Sequence, residues 1–276
     1  MHFSRKCSLF EAVCELCPDS SKTKVREFIR QARIYVDGVA VTSPTALVEI
    51  GQEVTLAPKA HKFVDNLHIV YEDPWLIVID KPSGLLSVAS NFEKFETAHS
   101  LVKRHVAPKK VFVIHRLDYE TSGLMVFAKD EQMYIHLKEQ LACREMKRIY
   151  YGVVEGILEG NGTWTNRLVE DPDYTMHITD SPYEGELATT HYLVEATKNA
   201  YSLVLFTLDT GKKNQIRVQS SHAGFPIIGD SKYGSTRDPL GRLALHATEL
   251  SFFHPIKKKK CVFSSPPPSQ FRSFFL

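Results

Sequence analysis

Short apolar runs follow one another along most of this chain with few helical patterns between them, and that rhythm restricts its fold more than any other feature. The runs at 67–71, 76–79, 111–114, 124–128, 149–154, 191–196 and 203–208 have strand length. Helical spacing is confined in this region to about 96–105 and 130–143. In the second of these Met133, Leu137 and Leu141 recur every four residues and Asp130 is placed to cap the start, so Met133 reads as core. Regular strand-helix-strand alternation is missing. The expectation is therefore an α+β fold built on a mixed, mainly antiparallel sheet.

The first sixty residues form a separate pattern. Val25, Phe28, Ile29 and Ala32 fall on one helical face and Lys22, Arg26, Arg30 and Arg33 on another, with Ser20 or Ser21 as N-cap. Ile34, Tyr35 and Val36, then Asp37-Gly38, then Val39, Ala40 and Val41 spell a hairpin, and a further strand at 53–56 follows Gly51. Residues 57–61, Ala-Pro-Lys-Ala-His, break the strand pattern as a linker would. Two domains are expected, 1–60 and 61–276. With 276 residues, 43% of them hydrophobic, the chain can bury a sizeable core.

A net charge of +2 neither demands nor excludes a nucleic-acid partner, so local clustering must decide. The basic helix face is either simply solvated or a surface for phosphate. Five cysteines, Cys7, Cys14, Cys17, Cys143 and Cys261, are odd in number and scattered. Cys14 and Cys17 have metal-like spacing, but no second close pair accompanies them and their segment reads as helical, so no metal is expected. No apolar run approaches the roughly 20 residues that span a bilayer, and residues 1–10 lack a signal-peptide core, which reads as a cytoplasmic protein away from membranes.

One segment carries the chemistry. In His115-Arg116-Leu117-Asp118-Tyr119-Glu120-Thr121-Ser122-Gly123, an acid sits between a basic pair and a Thr-Ser-Gly turn, with apolar runs on both sides. Asp118 is thus expected on a tight connection between two strands, where a carboxylate can be presented rigidly to a cleft. An isolated acid on a turn would ordinarily do no more than accept bonds from nearby amides.

This segment resembles the His-Arg-Leu-Asp and Thr-Ser-Gly signature of the RluA-type family of RNA pseudouridine synthases. Lys81-Pro82-Ser83-Gly84, Arg148-Ile149-Tyr150, Gly211 to Val218, Gly229-Asp230, Tyr233-Gly234, Leu245-His246-Ala247 and Phe253-His254-Pro255 match its other motifs in order, from about residue 66 almost to the C-terminus. Residues 8–58 are similar to the small αL RNA-binding domain first known from a bacterial small-subunit ribosomal protein. The third motif departs from the usual Gly-Arg-x-His-Gln-Ile-Arg: Lys212 replaces the first Arg and Asn214 replaces His, while Gln215, Ile216 and Arg217 are kept.

The resemblance implies an isomerase that breaks the N1 glycosidic bond of a uridine, turns the base and rejoins it through C5, with neither cofactor nor metal. It implies Asp118 as the acting acid, Arg217 as its electrostatic partner and Tyr150 against the target base, with Arg148 in the same motif. Arg116 is expected to meet RNA at the place left by a flipped nucleotide, and His115 to brace the loop. Lys212, Asn214 and Gln215 are candidate contacts to substrate, as are Lys22, Arg26, Arg30 and Arg33 in the N-terminal domain. Three routes stay open for Asp118: attack at C1′, attack at C6, or removal of a sugar proton. The expected partner is structured RNA, ribosomal RNA of the large subunit before transfer RNA, acted on by a monomer. Competing readings are a silent RNA-binding protein of the same fold and a carboxylate-based nucleoside or glycoside hydrolase, which normally needs a paired acid. Lys257, Lys258, Lys259 and Lys260 read as a solvated hairpin tip.

Overall fold

A computed structural model of the chain describes residues 1–18, 20–30, 34–41, 43–56, 62–64, 67–89 and 96–275. They fall into two compact units, Met1–His61 and Lys62–Leu276.

In the first unit β1 (Cys7–Ser8) leads into α1 (Leu9–Leu16), which Ser8 and Glu11 cap reciprocally. Helix α2 (Lys22–Arg30) begins at Ser21, whose hydroxyl accepts from Lys24 N at 3.3 Å. Val25, Phe28 and Ile29 pack with Leu9, Ala12 and Val13 of α1 in one core, and Lys22 and Arg26 are exposed. Ala32 and Arg33, with the side chain of Arg30, lie outside the described residues. Strands β2 (Ile34–Val36) and β3 (Val39–Ala40) pair across Asp37 and Gly38, whose φ values of 48° and 79° are both positive, as a two-residue hairpin turn requires. Strand β4 (Leu47–Val48) pairs with β1, and β5 (Val54–Leu56) with β2.

The second unit carries β6 (Lys62–Val64), β7 (Leu67–Glu72), β8 (Leu76–Lys81), β9 (Phe112–Val113), β10 (Ser122–Ala128), β11 (Lys147–Glu155), β12 (Asn161–Glu170), β13 (Met176–Thr179), β14 (Glu186–Lys198), β15 (Tyr201–Leu208), β16 (Leu245–His254) and β17 (Lys259–Ser264). They form one sheet in the order β13-β12-β14-β15-β11-β16-β10-β8-β7-β6, with β17 on β16 and β9 on β10. Among the described strand pairs β10 and β16 alone run parallel. The sheet is mixed and mainly antiparallel, as expected.

Both faces of its centre are buried, which is why the runs in β8 and β10 are continuous rather than alternating. Ile77, Ile79, Met125 and Phe127 pack on one side with Leu101 and Val102 of α3 (Ala98–Val106). Leu76, Val78, Leu124 and Val126 pack on the other with Met133 and Leu137 of α4 (Glu131–Ala142). Asp130 caps α4 through Met133 N at 2.9 Å. Helix α3 starts later than its pattern suggests, because Thr97 and Ser100 close a capping box and leave Glu96 outside.

The parallel seam needs Gly123. Its φ is +114°, and a Cβ there would lie within 2.5 Å of Ala247 N. Next to it Ser122 Oγ accepts from Arg242 at 2.8 Å and donates to His246 Nδ1 at 2.8 Å, stapling the two strands side chain to side chain.

Several elements are absent from the sequence expectation, strands β12 and β13 and helix α5 (Gln215–His222) among them. Strands β12 and β13 carry mostly polar side chains and lack an apolar run. Helix α5 buries Gln215, Ile216, Arg217, Val218, Gln219 and Ser220 and so has no polar face to give it a period. A short helix α6 (Ser269–Ser273) ends the unit. Lys257 is not free at its hairpin tip, since it bonds Asp73 at 2.7 Å. Among the described residues no helix is long and apolar enough to cross a membrane.

Candidate active site

The connection from β9 to β10 is held by its backbone on both sides of Asp118. Ser87 Oγ donates to Leu117 O at 2.6 Å and accepts from Leu117 N at 3.0 Å. Tyr119 O accepts from Gly84 N at 2.9 Å and from Lys81 Nζ at 3.2 Å, and Glu120 O accepts from Ser83 Oγ at 2.6 Å. The Lys81-Pro82-Ser83-Gly84 turn therefore acts as a clamp on the acid's loop. Lys81 is fully buried, with Nζ also on Pro82 O and Leu85 O at 2.9 and 2.7 Å. Burial lowers its pKa to about 7 and the charge of Asp118 opposes the shift. Three carbonyl acceptors, which only an ammonium satisfies in full, favour the charged form further.

Asp118 opens into a cavity of about 380 Å³, at the small end of ligand pockets. All nine candidates from the second unit line it: His115, Arg116, Asp118, Arg148, Tyr150, Lys212, Asn214, Gln215 and Arg217. A second hollow of about 350 Å³ shares Arg116 and Asp118 and adds Lys213 and Lys232. Burial raises the Asp118 pKa, against the pull of Arg217 and Arg116.

The expected pairing of Arg217 with Asp118 is present as an ion pair at 3.7 Å, but the arginine is shared with two other acids. Arg217 donates from Nε and Nη2 to the two oxygens of Asp230 at 2.6 and 2.7 Å, a bidentate and almost fully buried pair. Only Nη1 is left for the loop, 3.1 Å from Glu120 and 3.7 Å from Asp118. Sequence reasoning places Asp230 within a motif but gives it no role.

Strand β11 sets the aromatic wall. Period-two alternation turns Arg148 and Tyr150 inward and leaves Tyr151 to bond Glu195 at 2.8 Å. A register shift against β16 falls between Ile149 and Tyr150, where Thr248 of β16 is the extra, unpaired residue. Burial raises the Tyr150 pKa, with Arg148 opposing, so the phenol keeps its proton at neutral pH.

His115 accepts from Val126 N through Nε2 at 3.3 Å, and burial beside Arg148 and Lys138 lowers it to about 3. It is a neutral brace. Gln215 is engaged inside the protein, with Thr189 O at 3.0 Å, Thr190 at 2.8 Å and Thr210 at 2.8 Å, and Lys212 bonds Glu186. Asn214 lies against Asp118 itself. In two of the lining residues one polar atom each, Thr121 Oγ1 and Arg148 Nε, is buried without a hydrogen-bond partner.

The comparisons with known proteins agree on the family. A family model described as RNA pseudouridylate synthase matches residues 75–222. Ribosomal large subunit pseudouridine synthase D of Pseudomonas aeruginosa is 31% identical over 289 residues, spanning 95% of this chain and 89% of that protein. The protein of the same name from Yersinia pestis is 32% identical over 274 residues, 90% of this chain and 84% of its own. The solved structure of human RNA pseudouridylate synthase domain containing 1 superposes with a TM-score of 0.62 at 24% identity, over 75% of this chain and 86% of that one, which shows the shared fold.

Fold and sequence thus define an isomerase acting on RNA. The chain belongs to the RNA pseudouridylate synthase family, RluA type.

Proposed function

We propose that this enzyme converts specific uridines of large-subunit ribosomal RNA to pseudouridine in the cytoplasm, as a monomer, with Asp118 as the acting carboxylate. The observation that carries the reading is the wall around that acid. Arg116, Arg148, Tyr150 and Arg217 line one cavity of nucleobase scale together with Asp118, so a carboxylate, a ring for stacking and cationic donors for carbonyl and phosphate oxygens meet at one place.

Tyr150 offers its ring for stacking against the turned base and a protonated hydroxyl that can donate to one of the base's oxygens. Exposed Arg116, between the two hollows, suits a phosphate beside a flipped nucleotide. An ionised Asp118 serves attack at C1′, attack at C6 or removal of a sugar proton equally well, since each needs one aimed anionic oxygen. The ribosomal substrate is carried over from the relatives' names, and the exposed Lys22 and Arg26 on α2 support a phosphate-binding role for the first unit.

A hydrolase reading has one observation behind it, since Asp209 also lines the cavity. That carboxylate is 3.0 Å from His191 Nε2, an engagement that disfavours a free catalytic pair. Mapping pseudouridines by carbodiimide-stop sequencing in cells with and without the gene tests the proposal. Loss of defined sites in large-subunit ribosomal RNA is expected. Loss confined to transfer RNA would redirect the substrate, and free uracil released by the purified protein would favour hydrolysis.

A further inference from the structure

Asn214 occupies the first position before α5 in a left-handed conformation, φ 51° and ψ 23°, and its side chain makes no cap bond to the helix. Asparagine tolerates this backbone, and its amide is directed elsewhere. One end of the amide lies 2.9 and 3.0 Å from the two carboxylate oxygens of Asp118, and the other end lies 2.8 Å from the Tyr233 hydroxyl.

Hydrogen-bond chemistry decides which end is which. The Tyr233 hydroxyl already accepts from Met176 N at 3.2 Å, so its own proton needs an acceptor. With Asn214 oxygen toward Tyr233 and nitrogen toward Asp118, every group is satisfied in one line: Met176 N–H to Tyr233, Tyr233 O–H to Asn214, Asn214 N–H to Asp118. The reverse orientation would set an amide oxygen against a carboxylate and strand the tyrosine proton.

We propose that Asn214 is the positioning residue of Asp118, its amide oriented by Tyr233 and donating to the carboxylate that reacts. The assignment rests on the catalytic reading of Asp118 given above. Arg217 is farther away, at 3.7 Å, and its two parallel donors are taken by Asp230. The nearest directional hold on the carboxylate is thus a neutral donor that does not itself titrate.

The other charged and titratable groups around the carboxylate are Arg116 and Glu120 on its own loop, Lys81 at the end of β8, Tyr150 on β11, Arg217 on α5 and Asp230 behind it. Burial and the two acids disfavour the anion, while both arginines favour it. An amide hydrogen bond to the charged form adds to the arginines' side.

The test is the titration of the Asp118 carboxyl by carbon-13 NMR in the full chain, its signal assigned by its loss in Asp118→Asn. Asn214→Gly removes the amide and keeps the left-handed backbone free of strain. It is expected to move the Asp118 titration upward by about one pKa unit. In turnover kcat should fall about 10- to 100-fold with little change in KM, and the acid limb of kcat should move the same way. Tyr233→Phe, which keeps the ring and frees the amide to turn, should shift the titration in the same direction by less, and it serves alone if the glycine variant does not fold. A titration unmoved in both variants overturns the proposal. The two readings separate cleanly: a shifted titration in a protein that forms no pseudouridine would sink the enzymatic role of Asp118 and keep its amide partner, whereas an active parent with an unmoved titration would sink the partner alone.

Discussion

Arg217 faces Asp118 at 3.7 Å but gives its two parallel donors to Asp230, at 2.6 and 2.7 Å. Asp230 thereby fixes the plane of the guanidinium, and Asp118 meets only the remaining nitrogen. The arginine supplies field to the acid more than a directed bond. Its pKa is raised because the bonds and charge of Asp230, with Asp118 and Glu120, outweigh the cost of burial.

Asp230→Asn should be costly, because it leaves a buried guanidinium without its counter-charge. A loss of about 3–5 kcal/mol is expected in the denaturant transition of the second unit. A loss below about 1 kcal/mol, the range of exposed pairs, would show that the pair is not an anchor.

Gly123→Ala tests the parallel seam. The added methyl meets the backbone of Ala247 and the residue is held at positive φ, so β10 and β16 must part beside the active-site loop. The expected cost is about 1–3 kcal/mol, read by thermal or urea unfolding. An unchanged midpoint would contradict the close approach.

Much of the sheet around this seam is legible in the amino-acid sequence, and the reason is burial. Runs such as Leu124 to Ala128 are apolar because both faces of the central sheet are covered, and the capping acid Asp130 announces α4. Helix α5 leaves no such mark, for the same physical reason in reverse. It is buried all round, and Gln215, Arg217 and Gln219 pair internally, so no apolar stripe reveals it. Asp118 stands out by its motif. Lys81, Asn214 and Asp230 stand in motifs too, but what they touch is not legible and Ser87 is in no motif, because these partners meet the loop from segments 30 or more residues away.

Asp118→Asn should stabilise the protein at neutral pH. With its pKa raised in the folded chain, Asp118 binds a proton there before the unfolded chain does, so stability falls as pH rises from the ordinary value of about 3.9 through the higher folded one. An asparagine removes that cost. The variant should melt above the parent at pH 8, and the gap should close as pH falls toward 4; a gap of constant size would contradict the shift.

In the first unit, Lys22→Ala with Arg26→Ala should weaken RNA binding alike for all sequences. If each side chain meets one phosphate, the slope of log K against log salt should fall by about 2. An unchanged slope would leave these residues as a solvated helix face.

The most direct test of the whole account is tritium release from C5-labelled uridine in large-subunit ribosomal RNA prepared from cells lacking the gene. The parent should release tritium without free uracil, with an acid limb above the ordinary carboxylate value of about 3.9. Asp118→Asn, folded by the melting measurement, should be slower by about 10³-fold or more. Release by the variant at the parent's rate would contradict the central role of Asp118.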